Sequence, residues 1–378
     1  MSVAEPLEAT PAPSPTPVAP AGPDDGVPRR TPVAVRALVG AARFLGRWLA
    51  STAVFAVAAF FIVKLIPGDP VEIATGGRLS DEAAQAARGQ LGLDDPWTTQ
   101  LGHYLADLAR LDLGTSISTN RPVADDLADR LPTTLQLILL GLGLAVAFAL
   151  VLSWFVVSRP RNPVSRLMST YARSAGALPE YVLGVVFVFV FYAQLQWAAA
   201  PSGALDPILL PPDPITHVPL LDALLAGRPE VFRSYVDHLV LPLVVLVVAH
   251  TAILMKTLIG SLDAAIDEPS TRFRIASGAP YRTIVASIYR RALPPLVVMI
   301  GMLFGLFLSG AVVIEALFGL GGLGQYAVSA VTSADVFALR SFLVVVAALS
   351  MGVFLLADLV NSIIDPRRQT GIQREEAR

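Results

Sequence analysis

The stretch "RFRIASGAPYRTIVASIYRR", residues 272–291, lies between two long apolar runs and holds five of the chain's 26 arginines. Within it Tyr281, Ile284, Val285 and Ile288 fall at i, i+3, i+4 and i+7, one apolar face of a helix. Arg282, Arg290 and Arg291 lie off that stripe or at its end. Pro280 suits a first helical turn, where its missing N–H is no loss. Gly278 separates this helix from a preceding piece, "PSTRFRIAS", and Pro294-Pro295 is expected to end it. The spacing therefore predicts two short helices joined by a glycine bend.

What such an element is for depends on its surroundings. The 378 residues are 54% hydrophobic and 15% charged, with a mean hydropathy of +0.62, whereas soluble domains carry about 25% charged residues. The apolar residues come in blocks of roughly 20 or more, the length that crosses about 30 Å of hydrocarbon. Six such runs are expected, at 33–66, 132–157, 178–200, 239–260, 293–320 and 337–364. Only helices satisfy their own backbone groups in lipid, so the fold class is all-α and polytopic with six transmembrane helices.

Arginine placement predicts orientation, because cytoplasmic loops hold the excess of positive charge. Eighteen arginines lie in the N-terminal approach, the 158–177 loop, the quoted stretch and the C-terminus, against seven in the alternate segments. Both termini and the quoted stretch are thus expected in the cytoplasm. The two glycine-bounded helices would then lie parallel to the membrane surface. Periodicity leaves two readings open: an amphipathic helix with its arginines on lipid headgroups, or a helix docked in a groove of a cytosolic partner.

Residues 1–32 include "EATPAPSPTPVAPAGPDDGVPRRTP", rich in Pro and Ala and without apolar periodicity. Such a segment cannot bury enough surface to offset its ordering entropy, and it reads as a disordered tail. Two external segments are long, 67–131 and 201–236, and the first is read as a small subdomain. In it "SDEAAQAARGQLG" (80–92) predicts a helix capped by Ser80 and stopped at Gly92.

Several chemistries are excluded. There is no cysteine, hence no disulfide or thiolate site. The only lysines, Lys64 and Lys256, follow Val63 and Met255, so no P-loop lysine exists. No His precedes a Glu, and the four histidines are scattered, so neither a metal nor a catalytic cluster is expected. Intramembrane charges are few, which argues against a proton relay. A net charge of −2 points away from nucleic acid. Glu315, about one turn from the outer end of the fifth run, reads either as an acid at the water interface or, with Phe318, as a pathway or outer-gate residue. A many-span chain without catalytic groups is read as a transporter, not an enzyme, whose energy source lies on another chain.

Several ordered stretches carry a resemblance. They are "LIPGDPVEIATGG" (65–77), "QLGLDDPWTTQLGHYLADLARLDLGTSISTNRPVADDLADRLPTTLQL" (90–137), "HLVLPL" (238–243), "GAVVIEALFGLGGLG" (310–324) and "DLVNSIIDPR" (358–367). Over about 40–368 the chain resembles the permease subunit, the first of the paired permeases, of the ABC importers for dipeptides, oligopeptides and nickel. The resemblance implies a type I importer-like permease fold in the plasma (inner) membrane. Its parts would be a first helix at 33–66, an external subdomain at 67–131, a five-helix core at 132–368 and a C-terminal tail at 369–378.

It also implies that Gly278 is the central glycine of a coupling loop at 261–292 that seats in an ATPase subunit. Ile275, Ala276, Gly278, Ala279, Tyr281, Arg282, Ile284, Val285 and Ile288 would form the contact. The implied partners are a second homologous permease, two cytosolic ATPases that bind ATP and Mg, an external substrate-binding protein, and membrane lipid. No cofactor is expected in this chain. Peptides are the expected cargo; nickel or another small cargo is the alternative.

The loop departs from the family's pattern. Pro269-Ser270 stands where the family has an Asp-Tyr pair, Ser277 where it has a basic residue, and "SIYRRALPP" (287–295) where it has a run containing His. Rival readings are a secondary transporter or channel, which predicts inverted repeats or midplane charges, and a membrane enzyme or scaffold. Neither of the first two signs is evident in the sequence.

Overall fold

The computed structural model describes residues 33–65, 68–75, 77–174, 176 and 179–364. The expected tails 1–32 and 369–378, the stop at Pro67, the start of the third run at Leu178 and the motif end at Asp365 lie outside the described residues. The chain divides into two units, Met1–Leu45 and Gly46–Arg378. Of the first, the described part is the leading turns of α1 (Val33–Lys64), on which Leu45 is exposed. Everything below concerns the second.

There the order is α2 (Pro70–Thr75), α3 (Asp81–Gln90), α4 (Trp97–Ala109), α5 (Val123–Ser158), α6 (Pro163–Arg173), α7 (Glu180–Phe187) with a π-helical continuation (Val188–Gln194), and α8 (Pro219–Leu225). α9 (Pro229–Asp267), α10 (Pro269–Ala276), α11 (Tyr281–Phe318), α12 (Leu323–Thr332) and α13 (Val336–Ile364) follow. No strand occurs among the described residues. Five helices are long and apolar enough to cross a membrane: α1, α5, α9, α11 and α13. The third expected span is the 15 residues Glu180–Gln194, about 22 Å at 1.5 Å per residue. That falls short of about 30 Å of hydrocarbon.

Prolines mislead about helix ends here. α5 begins at Val123, not at Pro132, and carries Pro132 inside it. Asp125 and Asp126 in its first turn suit the positive end of the helix dipole. α11 likewise does not stop before Pro294-Pro295; it runs on for 38 residues. A proline removes one N–H and crowds the carbonyl four residues back, but packing on either side holds the helix together. Ile288, Ala292 and Leu296 are all buried. Thus the second of the two short helices expected around Gly278 is the leading end of a membrane-crossing helix. At about 57 Å, that helix outruns the bilayer.

The core joins α5, α9 and α11 through Leu137, Ile138, Leu246, Leu254, Met255, Leu258, Leu303 and Phe307. In lipid, close packing and interhelical hydrogen bonds bind helices, since apolar burial gains little there. Such bonds are present: Tyr171 of α6 donates to the Val248 carbonyl and Tyr289 of α11 to that of Leu150, 2.9 Å away. Val54, Phe55 and Ile62 point outward from α1, exposed.

The segment between α1 and α5 is fastened by two fully buried carboxylates. Asp335, before α13, accepts from Ser116 Oγ at 2.6 Å and from Ser118 N and Oγ at 3.0 Å. Asp126 of α5 accepts from Thr119 Oγ1 at 2.6 Å and pairs with Arg121 at 3.1 Å. Ser80 caps α3 by accepting from Ala83 N–H at 3.3 Å, and Gly92, at φ +64°, closes its end, both as the sequence predicts.

Candidate functional site

The segment between α9 and α11 is built as an elbow. Glu268 leaves α9 in extended backbone, and Pro269 opens α10 at its first position. The helix ends at Ser277 and the chain turns at Gly278, whose φ of +72° falls in the left-handed region. Ala279 N–H donates to Arg274 O and Gly278 N–H to Ile275 O, both at 3.1 Å. This pair of bonds satisfies the last carbonyls of α10 in a Schellman arrangement. Pro280, extended, then starts α11.

One arginine holds the elbow closed. Arg291 pairs with Glu268 at 2.8 Å and donates to Ser270 Oγ and Thr271 Oγ1. Thr271, fully buried, donates to Ala265 O at 2.7 Å. Arg291 therefore clamps α10 to α11 from within, rather than facing a partner.

The tip beyond the clamp is apolar and open. Phe273 is 73% exposed, Ile275 57% and Tyr281 68%. Ala276, Gly278 and Arg282 are exposed as well, while Ala279, Ile284 and Val285 are half-buried. Ile288 is a correction: at 4% exposure it packs into the core, because the same helical stripe continues as the inward face of α11. Phe273 was not singled out from the sequence, although a large apolar side chain flanked by Arg272 and Arg274 was the available signal.

At the other end of α11, Glu315 is fully buried and Phe318 2% exposed. The reading of Glu315 as an acid at the water interface does not hold. Its Oε2 accepts from Gly324 N–H at 2.6 Å, so it caps the start of α12. Its neighbour Thr134 Oγ1 accepts from Leu323 N–H at 2.8 Å.

A second ionisable pair went unrecognised because its members are 70 residues apart in the sequence. His250 of α9, 1% exposed, places Nε2 3.2 Å from Glu180 Oε1 of α7. Its Nδ1 lies 2.9 Å from the Leu246 carbonyl, which can only accept, so that nitrogen carries a proton. Nε2 therefore faces the Glu180 carboxyl with its other side closed by the protein. His250 also stacks on Phe307 at 3.8 Å. Among the described residues no His, Asp or Glu cluster is arranged to hold a metal.

The described residues thus form a helical chain with five helices long and apolar enough to cross a membrane and an exposed elbow between α9 and α11. The chain belongs to the family of inner-membrane components of binding-protein-dependent transport systems, whose model matches residues 139–370, with the family's N-terminal component model matching 41–138. Among curated relatives, it is 35% identical over 312 residues to the probable D,D-dipeptide transport system permease protein DdpB of Escherichia coli, covering 82% of this chain and 92% of that one. It is 29% identical over 310 residues to the di/tripeptide transport system permease protein DppB of Pseudomonas aeruginosa, with the same shares of the two chains covered. To the dipeptide transport system permease protein DppB of Alkalihalophilus pseudofirmus it is 28% identical over 315 residues, covering 82% and 93%.

Proposed function

We propose that this permease carries peptides inward as one half of a paired permease, driven by ATP hydrolysed on two cytosolic ATPases and supplied by an external binding protein. Peptide cargo is supported by the names of the relatives, which are dipeptide and di/tripeptide permeases. ATP and Mg would be bound by the ATPases. Nickel or another small cargo is the alternative within the same transporter type.

The observation that carries the reading is the open apolar tip of Phe273, Ile275 and Tyr281, beside the contacts that tie Arg291 to Glu268, Ser270 and Thr271 at the start of α10. A tip that merely rested on lipid would need no such fixed turn. A tip that transmits closure of an ATPase dimer must be stiff, since a flexible one would absorb the displacement. The residues 261–292 act as this coupling loop, with Ile275, Ala276, Gly278, Tyr281 and Arg282 outermost. Both termini lie in the cytoplasm by the arginine distribution. Glu180–Gln194 serves as a short sixth crossing beside the five longer helices. Alternating access then exchanges two packings of these helices that differ by a few kcal/mol.

The test is purification of the tagged chain from its native membrane in mild detergent, with mass spectrometry of what accompanies it. Two ATPases, a second permease and a binding protein are expected. Ile275→Asp and Tyr281→Asp should insert normally yet lose the ATPases and peptide uptake. A chain recovered alone, or mutants with full uptake, would refute the coupling role.

A further inference from the structure

Arg340 stands in the second turn of α13, only 7% exposed. Its guanidinium lies 4.6 Å from the ring centroid of Phe60 on α1 and 5.8 Å from that of Tyr104 on α4. These contacts offset part of the loss of water around the charge. Among the described residues Arg340 has no ion pair and no hydrogen bond, and its Nε is sealed without a partner. The Tyr104 hydroxyl is also buried and unpartnered. Burial pushes that phenol up to about 12, so it stays protonated and able to donate.

These groups are not packed into solid protein. Arg340 and Tyr104 line a cavity of about 360 Å³ between α3, α4 and the head of α13, together with Gln100, His103, Asp107 and Asp112. A second cavity of about 270 Å³ shares Arg340 and Gln100. A buried arginine without a counter-charge is unfavourable unless an anion reaches it. Its planar fork matches a carboxylate in a bidentate pair. Asp107 and Asp112 are exposed, and Asp112 already accepts from Gly114 N–H at 2.9 Å. This acidic rim repels a simple anion and attracts an ammonium.

We infer that this outer cavity binds a small zwitterion, an amino acid or short peptide, with its carboxylate on Arg340 and its ammonium toward Asp107 and Asp112. The inference rests on the charges of the cavity itself and not on the cargo reading. An importer that took up no peptide would remove that reading and leave this one.

The experiment is isothermal titration of the full chain in lipid nanodiscs with three probes: dialanine, dialanine amide and N-acetyl-dialanine. Dialanine should bind saturably. The amide, which lacks the carboxylate, should bind at least about ten-fold more weakly, and the N-acetyl form several-fold more weakly. Arg340→Gln should lose about ten-fold for dialanine with an unchanged unfolding midpoint. Should that variant fold poorly, the amide comparison on the wild-type chain decides alone. No saturable dialanine binding, equal binding of the amide, or equal binding of the N-acetyl form would each overturn the proposal.

Discussion

The carboxylate of Glu315 accepts the backbone N–H of Gly324 at 2.6 Å, joining the C-terminal end of α11 to the start of α12. The two segments meet so closely that a Cβ on Gly324 would lie 2.3 Å from Val312 Cα, and one on Gly322 2.4 Å from the carboxylate. A buried donor left without its acceptor loses about 1–3 kcal/mol. Glu315→Ala should therefore lower the unfolding midpoint in detergent clearly. Glu315→Gln, which keeps an acceptor, should lower it less. Equal effects of the two would deny the capping role.

A Cβ at Gly310 would lie 1.9 Å from Glu180 Oε2. Gly310→Ala should consequently push the end of the Glu180 side chain aside and destabilise by about 1 kcal/mol, the low end of overpacking. Glu180→Ala removes the obstacle but leaves His250 without its neighbour. The double variant should be less destabilised than the sum of the singles, a coupling that a double-mutant cycle reads directly. Strict additivity would mean that the two positions do not meet.

Arg291 is only partly exposed, 26%, and Glu268 is half-exposed at 48%. The ion pair itself adds little, under about 1 kcal/mol. Its value lies in fixing α10. Arg291→Gln should leave the unfolding midpoint almost unchanged while hydrogen exchange accelerates across 268–276 and ATPase recovery falls. Unaltered exchange in that segment would show that the clamp is dispensable.

The hydrogen bond from Arg88 holds the Asp69 carboxyl below the ordinary aspartate range. Because the folded value is the depressed one, the contact stabilises the segment above the unfolded value of about 3.9. It is lost as pH falls through the lower folded value. Protection of the 70–75 amides, taken relative to the intrinsic exchange rate at each pH, should fall on acidification through that window, and Arg88→Ala should flatten the dependence. A wild-type profile as flat as the variant's would dismiss the pair as a local tie.

Much of the fold could be read along the chain. Apolar runs near α1, α9, α11 and α13 are long and hold few charges, and local composition suffices for them. The Gly278 elbow was legible too, since a helix stop followed by proline is a local signal. Helix ends were misjudged at Pro132 and at Pro294-Pro295, because tertiary packing, not propensity, carries a helix across a proline. The third run was given the length of its apolar composition, while its helix covers 15 residues.

The sequence by itself determined the class of the molecule, its apolar helices and the turn at Gly278, all properties of neighbouring residues. Tertiary structure decided what its charges do. Arg291 became a clamp because Glu268, Ser270 and Thr271 fold back onto it. Glu315 became a cap because α12 starts against it, and Glu180 met His250 across two helices. Arg340 was left alone beside a cavity. A charge in a low-dielectric interior takes its role from whichever group lies within a few ångströms, and that distance is set by packing between segments remote in the chain.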